Sequence, residues 1–235
     1  MHQEDDDDQA GDARPELSPL FSLAIRTPRL ELRLPTRDEL AQLAAVARAG
    51  IHPRETMPFR VAWTDSAGEP GFVDGVVAYH EEQRVGWRPD RWRLELGVWA
   101  DGELAGAQAQ GIAADDFART RTVTTGSWLG ERFQARGYGT EMRTAVLELA
   151  FVGLGAERAR SGFIEGNDAS ARVSAKLGYE PAGERVVTPR GERLREHVLE
   201  LTRERWARNP RVGVTIEGLE PCLQLFGVGL GMKAE

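Results

Sequence analysis

The stretch from Thr120 to Val152 constrains the fold of this chain more than any other. Thr120 to Leu129 is a β-branched run, TRTVTTGSWL, that reads as a central strand, and from Glu141 to Val152 the residues Met142, Ala145, Val146, Leu149 and Ala150 recur at helical spacing. Between them lies Gly130-Glu131-Arg132-Phe133-Gln134-Ala135-Arg136-Gly137-Tyr138-Gly139-Thr140. Its glycines allow the tight turn that a strand-to-helix connection needs, and the helix that follows opens with N–H groups that have no intrahelical partner. Such an end attracts anions, with the positive end of the helix dipole and Arg132 or Arg136 as further donors. The loop carries neither the Lys-Ser/Thr of a P-loop nor Gly-x-Gly-x-x-Gly, which argues against ATP and NAD.

The flanking sequence places this unit in a mixed α/β chain. Leu30, Leu32 and Leu34 alternate with charged residues as in a half-buried strand bracketed by Pro28 and Pro35. Thr36 and Glu39 then form a capping box for an amphipathic helix that ends at Gly50. A second helix is expected over 72–85, and Asp101-Gly102 joins two alternating runs as a hairpin. RARSGFI reads as a short strand, Ala169 to Leu177 as a helix closed by Gly178, and two strands flank the turn Thr188-Pro189-Arg190-Gly191. The order is β-α-α-β-β-β-α-β-α-β-β, with VGVTIEG as a further strand near the end.

Charge and cysteine content exclude several classes. The net charge is -7, but Glu4, Asp5, Asp6, Asp7, Asp8 and Asp12 stand against Arg14 alone, so the body is close to neutral. Such a body has no electrostatic footprint for nucleic acid. Residues 1–18 are expected to be a disordered acidic tail, and 19–235 one domain with a C-terminal extension from about 205. One cysteine, Cys222, and four histidines offer no metal spacing. No run of about 18 apolar residues or signal peptide is present, so the expectation is a cytoplasmic protein with no membrane partner.

Gln134-x-x-Gly137-x-Gly139 is followed further along by Asn167-Asp168-Ala169-Ser170, opening a helix that ends in Lys176-Leu177-Gly178-Tyr179. In this pairing and order the sequence resembles the GNAT superfamily of acyl-CoA N-acyltransferases, with its ribosomal-protein alanine N-acetyltransferase branch as the best likeness. The resemblance spans roughly residues 24–205. It implies a mostly antiparallel twisted sheet, helices on both faces, and a V-shaped slot between the strand ending at Trp128-Leu129 and the one containing Phe163. It also implies that Gln134, Ala135, Arg136, Gly137, Tyr138, Gly139 and Thr140 bind the pyrophosphate of acetyl-CoA or another acyl-CoA. The backbone at Trp128 and Leu129 would pair with pantetheine, and Asn167 would hydrogen-bond the same arm. No metal is implied.

The implied reaction is direct attack of a primary amine on the thioester. An amine of pKa near ~8 to ~10 must be neutral to attack, the oxyanion needs a fixed donor, and a thiolate of pKa about 8.5 leaves more readily with a proton donor. The Leu129 N–H is the candidate oxyanion donor. Ser170 is the candidate acid; its alternative role is to cap its helix. No base is assigned: of Glu196 and His197, neighbours on one strand, at most one faces the acceptor. Tyr138 and Tyr179 read as packing residues. Segment 52–63 carries Met57, Phe59 and Trp63 and would either wall a pocket that selects acyl group or acceptor, or only pin a loop. Arg54 or Arg60 would there meet the carboxylate of a succinyl group. The acceptor is a small-molecule or protein amine, and pairing as a homodimer stays open. The competing class is an acyl-CoA-binding sensor or scaffold without turnover.

Overall fold

The computed structural model describes residues 15–208 and 213–229, excluding the side chains of 107–112; the acidic run at residues 1–14 lies outside them. The strands are β1 (Ala24–Arg26), β2 (Leu30–Arg33), β3 (Arg91–Ala100), β4 (Glu103–Asp115), β5 (Thr122–Thr124), β6 (Trp128–Leu129), β7 (Arg158–Ile164), β8 (Glu180–Val187), β9 (Leu194–Thr202) and β10 (Thr215–Glu217). The helices are α1 (Arg37–Ala49), α2 (Phe72–Val85), α3 (Phe117–Thr120), α4 (Tyr138–Glu148), α5 (Asp168–Lys176) and α6 (Arg203–Trp206). All ten strands join one sheet in the order β10-β1-β2-β3-β4-β5-β7-β9-β8, with β6 pairing β4 beside this path. β5 and β7 run parallel, and the other pairs described are antiparallel.

Local chemistry explains the elements that were legible. Thr36 Oγ1 accepts from the Glu39 N–H and the Glu39 carboxylate accepts from the Thr36 N–H, closing the capping box of α1. Asp101 and Gly102 both have positive φ in the β3–β4 turn, as a tight hairpin demands. Alternation then divides the core. Trp99, Leu104 and Trp128 point to a cluster with Leu40, Leu43 and Phe72 of α1 and α2, while their neighbours Val98, Ala105 and Leu129 join the larger cluster that includes Met142 and Val146 of α4. The sheet is therefore covered by helices on both faces.

One reading needs correction. The single strand expected over 120–129 is a helical turn, then β5, which lies between β4 and β7, then β6, which has parted from β7 and pairs with β4 alone. The strand expected at Leu30, Leu32 and Leu34 is β2, and a further strand not expected from the sequence, β1, precedes it and pairs with it across the turn at 27–29. The C-terminal segment is tied firmly to the sheet. β10 pairs with β1, and Phe226 is fully buried against Trp92 and Trp87, whose indole N–H groups donate to Phe226 O at 3.2 Å and Leu225 O at 2.8 Å. Trp87→Phe removes one donor and strands a buried carbonyl. It is expected to destabilise the fold by about 1–2 kcal/mol, read as a melting temperature lower by roughly 2–8 °C.

Candidate active site

The slot arises where the sheet divides. β5 pairs with β7 through Thr124↔Arg160, and the Thr125 N–H donates to Arg160 O at 2.7 Å. Past that bond the chain turns at Gly126-Ser127 and pairs with β4, so residues 126–129 and 161–164 diverge. At the register Gly106↔Leu129, the Gly130 N–H donates to Ala105 O at 3.0 Å. Antiparallel ladders alternate, so this bond turns the Leu129 N–H away from β4 and toward the gap. β6 lies so close to β4 that a Cβ on Gly106 would meet Trp128 O at 2.6 Å.

The glycine loop follows directly. Gln134 does not present its amide to a ligand: its Nε2 donates to Ile51 O at 2.7 Å and Leu129 O at 2.9 Å, tying the loop to β6. Ala135 and Gly137 have φ of 58° and 84°, and Gly137 is the N-cap of α4. This left-handed pair turns successive N–H groups toward one side, a concavity suited to an anion. Tyr138 is buried, and its hydroxyl donates to Asp101 at 3.2 Å. Gly139 is helical and its Cβ position makes only ordinary contact with Val173. Arg136 makes no ion pair among the described residues, whereas Arg132 is bound to Glu103. Arg29 and Glu141 were not singled out from the sequence, yet they brace the loop. Arg29 Nη1 donates to Arg136 O at 3.0 Å and its Nε to buried Glu141 at 2.7 Å. The alternation that marked Arg29 as outward-facing gave no sign of a partner more than a hundred residues away.

The gap opens into a cavity of about 650 Å³. Trp128, Asn167 and Ser170 line it, with Phe59 and Trp63 of the loop before α2; Met57 and Leu129 are buried outside its lining, and the largely exposed glycine loop does not line it either. Asn167 is the N-cap of α5, its Oδ1 accepting from the Ser170 N–H at 3.2 Å. The capping role considered for Ser170 therefore belongs to Asn167, and the Ser170 hydroxyl is left facing the cavity. The aromatic chain Phe59–Trp63–Trp128 runs with centroids 5.5 and 5.7 Å apart. Segment 52–63 is pinned over the cavity from β9 and its hairpin: Arg60 binds buried Glu196 at 2.8 Å, and Arg190 reaches Asp65 and Arg54 O. Glu196 faces the cavity while His197 stacks on Phe163 at 4.8 Å, the expected division between strand neighbours. Arg185 holds Glu196 as well, so Arg60 is already matched to a carboxylate.

Two lining residues were missed. His80 of α2 is buried with Nδ1 unpartnered, and burial, followed by nearby Arg84, lowers its pKa to about 4. It is neutral at pH 7. Its folded pKa lies below the unfolded value of 6.5, so its contribution to stability is present above pH 6.5 and is lost as pH falls toward 4. Between pH 7 and 5 wild type should lose about 2 kcal/mol more than His80→Gln, measured by denaturant titration at both values. The second residue is Arg143 of α4, buried where β5 and β7 part. A helical pattern of apolar residues concealed both.

A sheet parted beside a glycine loop at a helix start, with a walled cavity at the parting, is the arrangement expected of an acyl-CoA-dependent N-acetyltransferase. Residues 29–180 match the family model described as acetyltransferase (GNAT) domain, and the chain belongs to that family. Among solved structures it is similar to Mycobacterium smegmatis RimJ in complex with CoA-disulfide (17% identity, 81% of this chain and 92% of that one, TM-score 0.62). It is also similar to a GCN5-related N-acetyltransferase from Brucella melitensis (15%, 94% and 90%, 0.62) and to the ribosomal-protein-S5-alanine acetyltransferase of Vibrio fischeri (14%, 78% and 98%, 0.54). The chain is an N-acetyltransferase that takes its acyl group from coenzyme A. Among the described residues no helix is long and apolar enough to cross a membrane.

Proposed function

We propose that this chain transfers an acetyl group from acetyl-CoA to a primary amine, on a small molecule or a protein, by direct attack within the gap between β6 and β7. The observation that carries the reading is the Leu129 N–H, turned off the β4 ladder and toward the gap. A fixed backbone donor stabilises charge developing on the thioester oxygen without reorganising during the reaction. The backbone N–H groups of 135–139 and the side chain of Arg136 hold the pyrophosphate, with Gln134, Arg29 and Glu141 fixing the loop that presents them. The Asn167 amide orients the pantetheine arm, and Ser170 supplies a proton to the departing sulfur.

The apolar wall of Phe59, Trp63 and Trp128 excludes water from the attacking amine and so favours its neutral form. His80 lines the same cavity without a charge. The name of the ribosomal-protein-S5-alanine acetyltransferase neighbour makes a protein amine the first acceptor to test. Thiol release from acetyl-CoA with a panel of amines and N-terminal peptides tests the proposal, and mass spectrometry of the co-purified coenzyme identifies the acyl group. Tight CoA binding with no thiol release for any acceptor would instead favour a sensor or scaffold.

A further inference from the structure

The only two buried side-chain nitrogens or oxygens without a hydrogen-bond partner, among the described residues, are His80 Nδ1 and Arg143 Nε, and both residues line the same cavity. Arg143 is 3% exposed. Its Nη1 donates to Thr125 Oγ1 at 3.2 Å and Ser161 Oγ at 2.9 Å, and its Nη2 to Ser127 Oγ at 2.9 Å. All three partners are neutral hydroxyls. The Tyr179 hydroxyl also hydrogen-bonds this guanidinium, and Nε, one of its five N–H donors, has no partner.

No carboxylate is paired with this charge. Of the acidic groups lining the cavity, Glu196 is held by Arg60 and Arg185, and Glu69 is exposed and makes no ion pair with Arg143. Tyr179, hydrogen-bonded to the same Thr125, is kept neutral by burial, which pushes its pKa up. A buried cation held only by hydroxyls is costly, whereas a planar anion seated against it is bound strongly. The position is equally specific: the hydroxyls belong to both arms of the parted sheet, so Arg143 marks the closed end of the gap.

We propose that Arg143 is a specificity residue for a carboxylate carried by one of the two substrates. That substrate is either an acyl-CoA whose acyl group ends in a carboxylate or an amine that bears one. This rests on the acyl-transfer reading for the identity of the substrates, but the anion site itself does not. Arg60, the alternative cation, shares the one carboxylate of Glu196 with Arg185 and stands partly exposed at the wall rather than at the closed end of the gap.

The test uses the full chain as wild type, Arg143→Met and Arg143→Lys. Thiol release is measured with acetyl-CoA or succinyl-CoA, each against β-alanine and β-alaninamide, and binding of each compound is followed by calorimetry. In wild type the carboxylate member of one pair is favoured about ten- to hundredfold in kcat/KM or affinity. Arg143→Met levels the pair, and Arg143→Lys, which keeps the charge, restores part of the preference. A preference between the two esters assigns the donor, and one between the two amines assigns the acceptor. Arg143→Met gives up three hydrogen bonds to hydroxyls at the parting, so its melting is followed on the same sample, and Arg143→Lys carries the test if Arg143→Met folds poorly.

Equal values within both pairs for wild type overturn the proposal. So does a uniform loss across every combination in Arg143→Met, which would mean that Arg143 serves the pantetheine arm or the fold. Succinate titrated against succinamide without coenzyme separates the two readings. Discrimination by wild type and not by Arg143→Met, in a protein that binds no CoA, would leave the anion site standing and remove acyl transfer.

Discussion

Gly137→Val lowers affinity for CoA by about 10²–10⁴-fold while the protein still folds, as calorimetry and a melting curve on the same sample would show. Gly137 has φ of 84°, a region that a β-branched residue all but excludes, and its Cβ position lies 3.2 Å from Arg29 Nη2. Valine there turns the N–H groups of 137–139 off their common direction and displaces the guanidinium that holds Arg136 O. Losing two charge-assisted hydrogen bonds to phosphate, at about 1.5–3 kcal/mol each, accounts for the range. Gly139→Ala is the contrasting variant. Gly139 is helical with room for a methyl group, so its effect should be within a few-fold. Unchanged CoA affinity in Gly137→Val would place the pyrophosphate elsewhere.

Ser170→Ala lowers kcat by about 10² with the acetyl-CoA KM and the melting temperature little changed, if its hydroxyl protonates the departing sulfur. Stability is the discriminating readout, because the cap of α5 is Asn167 Oδ1 and survives the substitution. Asn167→Ala shows the complementary pattern, with about 1 kcal/mol lost from the fold. A Ser170→Ala enzyme with wild-type kcat would remove the acid role.

How far the sequence could be read depended on the range of the interactions. The capping box of α1, the Asp101-Gly102 hairpin, the α2 bounds and the strand–glycine loop–helix unit all rest on neighbours a few residues apart, and the structure has each of them. The break between β5 and β6 was not legible, because both halves are equally β-prone and share β4 as a partner, and only the loss of β7 beyond Thr125 divides them. Ser170 showed the same ambiguity. Asn-x-x-Ser at a helix start suits either residue as the cap, and the backbone at Asn167 settled it.

Sequence alone determined the strand–glycine loop–helix unit and the alternation that covers the sheet on both faces. These follow from backbone conformation and periodicity, which short-range chemistry dictates. Tertiary structure decided what surrounds the reacting groups. Arg60 was a free cation in the sequence and is matched to Glu196 by a contact 136 residues away. Arg143 and His80 looked like ordinary members of helices and are buried beside the cavity, one charged and one neutral. Burial and charge pairing depend on which distant segments meet, and no local pattern encodes that.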